Sequence, residues 1–345
     1  MIQDVRIVLS GLGHVNRNLL QILVDKQELI ANTYGINFLV VGVADSSGIA
    51  ELPAGFDKKE LLSLRNAGRK VKDLEGYIKG SSTEQLIDKV TADMLVEATP
   101  LNLTTGMPGL SCIKKALSRG WKVVTANKGP LVIAFDELMM LKEKHNAGLA
   151  CSATVCGGLP VINVLTRDLK TAQLKSLQGI LNATSNFVLH ELSIGNSMEE
   201  AVLEAQRIGA AETDPSQDLN GQDTANKLFI LMKTFAGFKG TVHDIKMEGI
   251  EQIDQKIIMQ AKQHNQVIKL VATAVMENGE WSLVVGPKRI PAHSFLGSCN
   301  GWEMGIEVKT DLYESISMKN YEADPLGTAA AVLRDMIDLV KNSQP

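Results

Sequence analysis

Val5-Arg6-Ile7-Val8-Leu9-Ser10-Gly11-Leu12-Gly13-His14-Val15-Asn16 decides how the first half of the chain is read. Val5 to Leu9 is a short apolar run with β-branched residues, which predicts a buried strand. Two glycines then turn the chain into a segment of helical periodicity, predicted over Val15 to Ile30. Strand, glycine turn and helix in that order form the dinucleotide fingerprint. Gly11 permits the tight turn. Gly13 lets backbone N–H groups approach a pyrophosphate, whose charge the helix N-terminus favours. His14 and Val15 would open that helix beside the phosphates. Asn16 takes the place of the third glycine, which ordinarily serves helix–strand packing.

Alternation continues outward from this stretch. Asn37 to Ala44 predicts a second strand and Leu86 to Val90 a helix. Met94 to Ala98 reads as a strand, Ser111 to Arg119 as a helix and Lys122 to Thr125 as a strand. Strands alternating with helices imply a parallel sheet covered on both faces. Beyond about residue 150 the texture changes. A helix is predicted from Gly157 through Leu169, a strand over Ser176 to Leu181, and a polar turn at Asn182 to Asn186. Helices are predicted at Met198 to Ile208 and Thr224 to Phe235. Strands follow at Val267 to Met276, Trp281 to Val285, Met304 to Val308 and Leu312 to Met318, with Asn278-Gly279 as a hairpin turn. The expected class is therefore α/β, with a Rossmann-type dinucleotide-binding domain over 1–130. An α+β domain with a largely antiparallel sheet follows over 131–324. An amphipathic helix at about 325–345 packs back on the first domain.

Composition excludes several function classes. The chain has 345 residues, 45% hydrophobic and 21% charged, so a disordered chain is excluded. A net charge of −4 and 4% aromatic residues leave neither a basic footprint nor a stacking platform for nucleic acid. The apolar run at Phe38 to Val41 is too short to span a membrane. The N-terminus lacks the basic start and long apolar core of a signal peptide, so a cytoplasmic location is expected. Cys112, Cys151, Cys156 and Cys299 form no C-x-x-C pair and fit no zinc template.

Two groups of residues carry chemistry. Asp45 closes the second strand, where a carboxylate either accepts from an adenosine ribose or caps the following turn. The first role favours NAD over NADP, although Ser46, Ser47 and Lys58 could together accept a 2′-phosphate. Glu212, Asp214, Asp218 and Asp223 fall within twelve residues, and Lys227 lies four beyond Asp223. That spacing gives either an ordinary helix ion pair above a solvated acidic loop or a carboxylate cluster that holds a lysine and binds an ammonium group.

Four segments together resemble homoserine dehydrogenases over most of the chain. They are Val123 to Pro130, Ala153 to Pro160, Gly179 to Phe187, and the acidic signature Ala205 to Lys227. The resemblance implies hydride exchange between NAD or NADP and L-homoserine or L-aspartate 4-semialdehyde, a step in threonine and methionine biosynthesis. It implies Lys227 as the proton-transfer residue, with Lys128 a second catalytic candidate. Glu212, Asp218 and Asp223 would line the substrate pocket. Thr99 and Lys128 would sit beside the nicotinamide, and Gly327 would be the cofactor contact before the last helix. The backbone at Val155, Gly157 and Leu159 would hold a monovalent cation such as sodium. A homodimer is implied, in the short form without a C-terminal regulatory domain. Three departures stand out: Ser152 where the family supplies a carboxylate to the cation, Ala183 where a glycine is usual, and a sparse loop at 322–327. They keep open a related dehydrogenase acting on another amino acid or semialdehyde. A non-catalytic NAD(P)-binding regulator is a further alternative, opposed by the presence of Glu212, Asp218, Asp223 and Lys227 together.

Overall fold

The computed structural model describes residues 2–208, 211 and 214–341. The chain divides into two compact units. One holds the residues up to Gly158 together with those from Pro325 on, and the other holds Leu159–Asp324.

In the first unit β1 (Gln3–Ser10) is buried along Val5 and Ile7 to Leu9, as a central parallel strand must be. α1 (His14–Asp25) buries Asn16, Leu19, Leu20, Ile22 and Leu23, the stripe expected of one helical face. Lys26 leaves helical geometry, and a separate helix α2 (Gln27–Tyr34) ends on left-handed Gly35. The single helix expected from Val15 to Ile30 is thus two. α2 lengthens the connection ahead of β2 (Ile36–Asp45), so Asp45 lies further beyond the glycines than the usual spacing of about twenty residues.

β3 (Gly48–Glu51), α3 (Lys58–Asn66) and β4 (Tyr77–Ile78) form the margin beyond β2. Then come α4 (Thr83–Lys89), β5 (Met94–Glu97), α5 (Gly109–Ser118), β6 (Lys122–Thr125), α6 (Lys128–Lys144) and β7 (Gly148–Ala150). The sheet order is β4-β3-β2-β1-β5-β6-β7. β2, β1, β5, β6 and β7 run parallel, while β3 and β4 pair antiparallel at one edge. The unit reaches Gly158, past the boundary expected at 130, because β7 extends the sheet beyond β6.

In the second unit the helix expected from Gly157 starts only at α7 (Val161–Asn163) and continues as a π-turn to Asp168. Cys156 and Gly157 both have positive φ (56° and 51°), which no right-handed helix accommodates. β8 (Leu174–Ile180) leads into α8 (Ala183–Ile194). The expected polar turn at 182–186 is instead the start of this helix. The Asn182 side chain accepts from Ser185 N, a helix N-cap. The polar residues of the first turn are buried because they have partners. Asn186 Nδ2, for example, donates to the carbonyls of Gly301 (3.0 Å) and Glu303 (2.9 Å).

α9 (Met198–Arg207), α10 (Ser216–Leu219) and α11 (Gln222–Phe235) carry the acidic signature. β9 (Lys246–Met247) and α12 (Gln255–Gln263) precede β10 (Gln266–Glu277) and β11 (Glu280–Pro291). Asn278 and Gly279 join the last two with φ of 52° and 87°, the left-handed pair that a tight hairpin requires. β12 (Glu303–Thr310) and β13 (Ile316–Tyr321) complete the sheet, ordered β13-β12-β8-β10-β11-β9. Every pairing is antiparallel except β11 with β9. The last strand starts at Ile316 and not Leu312, because Thr310 and Tyr313 close a turn on each other.

α13 (Leu326–Lys341) then returns to the first unit. Its Ala329, Val332, Met336 and Ile337 share one core with Val5, Ile7, Leu19 and Leu23. Gly327 is therefore the second residue of a helix and not part of a preceding loop.

Candidate active site

In the first unit the glycine turn has the geometry a dinucleotide requires. Gly11 has φ +84°, and a Cβ there would lie 2.6 Å from the carbonyl oxygen of Ala98. A side chain at residue 11 is thus excluded both by conformation and by space. Gly13 is the N-cap of α1; no side chain caps the helix, and the space above it is open. Uncapped N–H groups facing open space suit a phosphate. His14 is exposed in this first turn, while Val15 is half-buried against the core.

Asn16 explains how the motif dispenses with its third glycine. It is fully buried, and its Nδ2 donates to the carbonyls of Gly11 (2.7 Å) and Ser10 (3.3 Å). The amide side chain therefore ties the turn to the helix.

Asp45 shows the turn-capping role. Its Oδ1 accepts from Ser47 N (2.7 Å) and from the Ser47 hydroxyl, and its Oδ2 accepts from Val71 N (3.2 Å). Ser47 in turn accepts from Lys72 N.

Thr99 and Lys128 follow β5 and β6. Thr99 bonds directly, and Lys128 is linked through Asn127, to a residue that sequence reasoning passed over, Glu97. This carboxylate is fully buried at the end of β5. It accepts from the N–H (2.9 Å) and hydroxyl of Thr99, from the Thr125 hydroxyl (2.7 Å) and from Asn127 Nδ2 (3.4 Å). Burial pushes its pKa up, and these hydrogen bonds oppose that. Asn127 accepts from Gly129 N (3.0 Å) and so caps α6, whose first residue is Lys128. The sole sequence signal for Glu97 is an acid closing an otherwise apolar strand.

Ser152 is committed within the protein. Its N–H and hydroxyl donate to the two oxygens of Asp335 (2.8 and 2.7 Å), and its Oγ accepts from Arg334 (3.1 Å). Asp335 is buried. Val155 and Leu159 are also buried, and Gly157 lies in the left-handed turn. Among the described residues no group of three or more His, Cys, Asp or Glu could hold a metal ion. At residue 152 the donor set does not fit a cation, since the hydroxyl is used and a guanidinium already lies against it. Gly327 packs against the same turn: a Cβ on Gly158 would lie 3.1 Å from its Cα.

In the second unit α10 and α11 meet at Gly221, whose φ of +86° turns the chain sharply. The turn brings Asp218, Asp223 and Lys227 together. Lys227 Nζ lies 2.7 Å from Asp223 Oδ2 and donates to the Leu181 carbonyl at 2.7 Å. Asn182, which sequence reasoning placed in a turn, donates to Asp218 Oδ1 (2.6 Å) and Asp223 Oδ2 (2.7 Å). Lys227 and Asp223 are an i,i+4 pair, but a buried one joined through Asn182 to a second carboxylate. Glu212 lies outside the described residues.

No helix among the described residues is long and apolar enough to cross a membrane. The sequence profile described as homoserine dehydrogenase matches residues 160–337, and the profile of the homoserine dehydrogenase NAD binding domain matches residues 11–151. A homoserine dehydrogenase from Methanocaldococcus jannaschii is 33% identical over 98% of this chain and 99% of its own length. An NAD(+)-dependent homoserine dehydrogenase from Pseudomonas canavaninivorans is 31% identical over 97% and 96%. The crystal structure of homoserine dehydrogenase from Thermoplasma acidophilum superposes with a TM-score of 0.84 at 27% identity, covering 98% of this chain and all of that one. A hyperthermophilic archaeal homoserine dehydrogenase in complex with NADPH also gives 0.84, at 26% identity and 99% coverage of both. The two profiles together span most of this chain, and the chain belongs to the homoserine dehydrogenase family.

Proposed function

We propose that this chain oxidises L-homoserine to L-aspartate 4-semialdehyde with NAD(P)+, and catalyses the reverse reduction. The carrying observation is the buried Lys227–Asp223 pair, joined through Asn182 to Asp218. The overall step takes a proton from the homoserine hydroxyl and a hydride from the carbon bearing it. The nicotinamide supplies the hydride chemistry when bound. Lys227 as the amine accepts the hydroxyl proton, and as the ammonium returns it in the reverse direction. Asp223 holds the ammonium so formed. Asp218 and Glu212 bind the substrate's own ammonium group, whose charge the carboxylates complement.

Gly11, Gly13, His14 and Val15 hold the pyrophosphate at the start of α1. Thr99 and Lys128 receive the nicotinamide, and Gly327 contributes a further cofactor contact. Asp45 caps its own turn, but its negative charge at the end of β2 would oppose a 2′-phosphate, so NAD serves at least as well as NADP. The protein works as a cytoplasmic homodimer in threonine and methionine biosynthesis. The test is the change in nicotinamide absorbance when homoserine is added with NAD+ or NADP+. Oxidation of homoserine supports the reading. A chain that binds the cofactor yet leaves homoserine untouched refutes it.

A further inference from the structure

Glu97 occupies a position from which a carboxylate can act without touching a ligand. It ends β5, next to the glycine turn: Ala98 N donates to the Ser10 carbonyl, and Gly11 packs on the Ala98 carbonyl. β1 lies between β2 and β5, so the strand order reverses there. In open parallel sheets the ligand crevice lies outside the carboxyl ends of the strands at such a reversal. Glu97 is fully buried beneath that crevice.

Its partners are half-buried Thr99, after β5, and buried Thr125 and Asn127, at and after the end of β6. Oε1 gathers the N–H and hydroxyl of Thr99 and the Asn127 amide; Oε2 takes the Thr125 hydroxyl. Thr99 N–H and Asn127 Nδ2 can only donate, so a carboxylate, which only accepts, suits them. The network also dictates the residue that begins α5. A Cβ on Gly109 would lie 2.8 Å from Glu97 Oε1 and 2.9 Å from Asn127 Nδ2. One buried acid thus couples the ends of β5 and β6 and, through the Asn127 cap, the first turn of α6.

We propose that Glu97 is a positioning residue for the nicotinamide end of the bound cofactor, fixing Thr99 directly and Lys128 through the Asn127 cap. This rests on the reading of Thr99 and Lys128 as neighbours of the nicotinamide. Glu97 then contributes to binding of the redox end alone and leaves the pyrophosphate to the α1 turn.

Affinities of NADH and of ADP-ribose, which lacks the nicotinamide, separate these roles when measured by calorimetry on the wild type, Glu97→Gln and Thr125→Val. Glu97→Gln should weaken NADH by about tenfold and leave ADP-ribose within about twofold, the scale of one or two disturbed hydrogen bonds. Thr125→Val removes one hydroxyl and should act in the same direction with a smaller effect. It also carries the test if Glu97→Gln does not fold. Equal weakening of both ligands would mean a general structural role, and no weakening would mean no role; either overturns the proposal. If the wild type binds ADP-ribose as tightly as NADH, the nicotinamide makes no favourable contact. The underlying reading then fails, and this proposal with it, before any variant is compared.

Discussion

Lys227 and Asp223 lie one helical turn apart on α11, with Nζ 2.7 Å from Oδ2 and both side chains largely removed from solvent (13% and 7% exposed). At an exposed helix surface such a pair would be worth a few tenths of a kcal/mol. Buried, it must offset the desolvation of both charges, and it does so with help. The Leu181 carbonyl takes a second hydrogen bond from Lys227, and Asn182 donates to Asp223. The carboxylate and the carbonyl together hold Lys227 in one orientation.

Asp223→Asn keeps the shape and removes the charge. It leaves Lys227 buried without its counter-ion and sets an amide against Asn182 Nδ2. Breaking a buried pair from one side costs about 3 kcal/mol. Urea unfolding should show the midpoint fall with little change in slope. A midpoint equal to wild type would mean that the pair is more exposed in solution than the structure shows.

Ser152 predicts indifference to monovalent cations. Its hydroxyl is shared between Asp335 and Arg334, so residue 152 offers no free charged ligand. A hard cation bound by neutral carbonyls alone is held weakly. Turnover in sodium, potassium and N-methylglucamine chloride of equal ionic strength should agree closely. Collapse of activity in the organic cation would contradict this.

Lys269 gives a pH dependence of stability. It is buried on β10, donates to Asn186 Oδ1 (3.0 Å) and to the Cys299 carbonyl, and burial pushes its pKa down to about 8. Cys299 and Glu303 are the titratable groups whose charges act on it. Below pH 8 the lysine is charged in both states, and the native state bears the full penalty. Between about pH 8 and the ordinary lysine value the native form loses its proton first, so the unfolded chain binds more protons and stability rises with pH. The gain is at most about 3 kcal/mol. Cys299, whose pKa burial raises, opposes it. Subtracting the profile of Lys269→Met isolates the lysine. A difference that is flat or falls from pH 8 to 10 would refute the assignment.

Local patterns were legible where local physics decides. Gly11 announced the turn, and Asn278-Gly279 announced the hairpin, because only a few residues tolerate positive φ. Asn182 misled, since the same side chain suits a turn and an N-cap, and its contacts with Asp218 and Asp223 come from segments 36 and 41 residues away. α6 went unread because Gly129 and Pro130 resemble breakers. In the first turn of a helix a proline loses no hydrogen bond. Glu97 gains its meaning from β6 lying beside β5, and Ser152 from a helix 183 residues further on. Such roles depend on strand order and on the return of α13, which no local window contains.

The most direct test of the account is the turnover of Lys227→Ala with homoserine and saturating cofactor. Loss of a group that transfers the proton should lower kcat by about 10²-fold or more. Cofactor affinity should change little, because the glycine turn that holds the pyrophosphate is built by β1 and α1 without Lys227. Near-normal turnover in a folded Lys227→Ala protein would contradict the account.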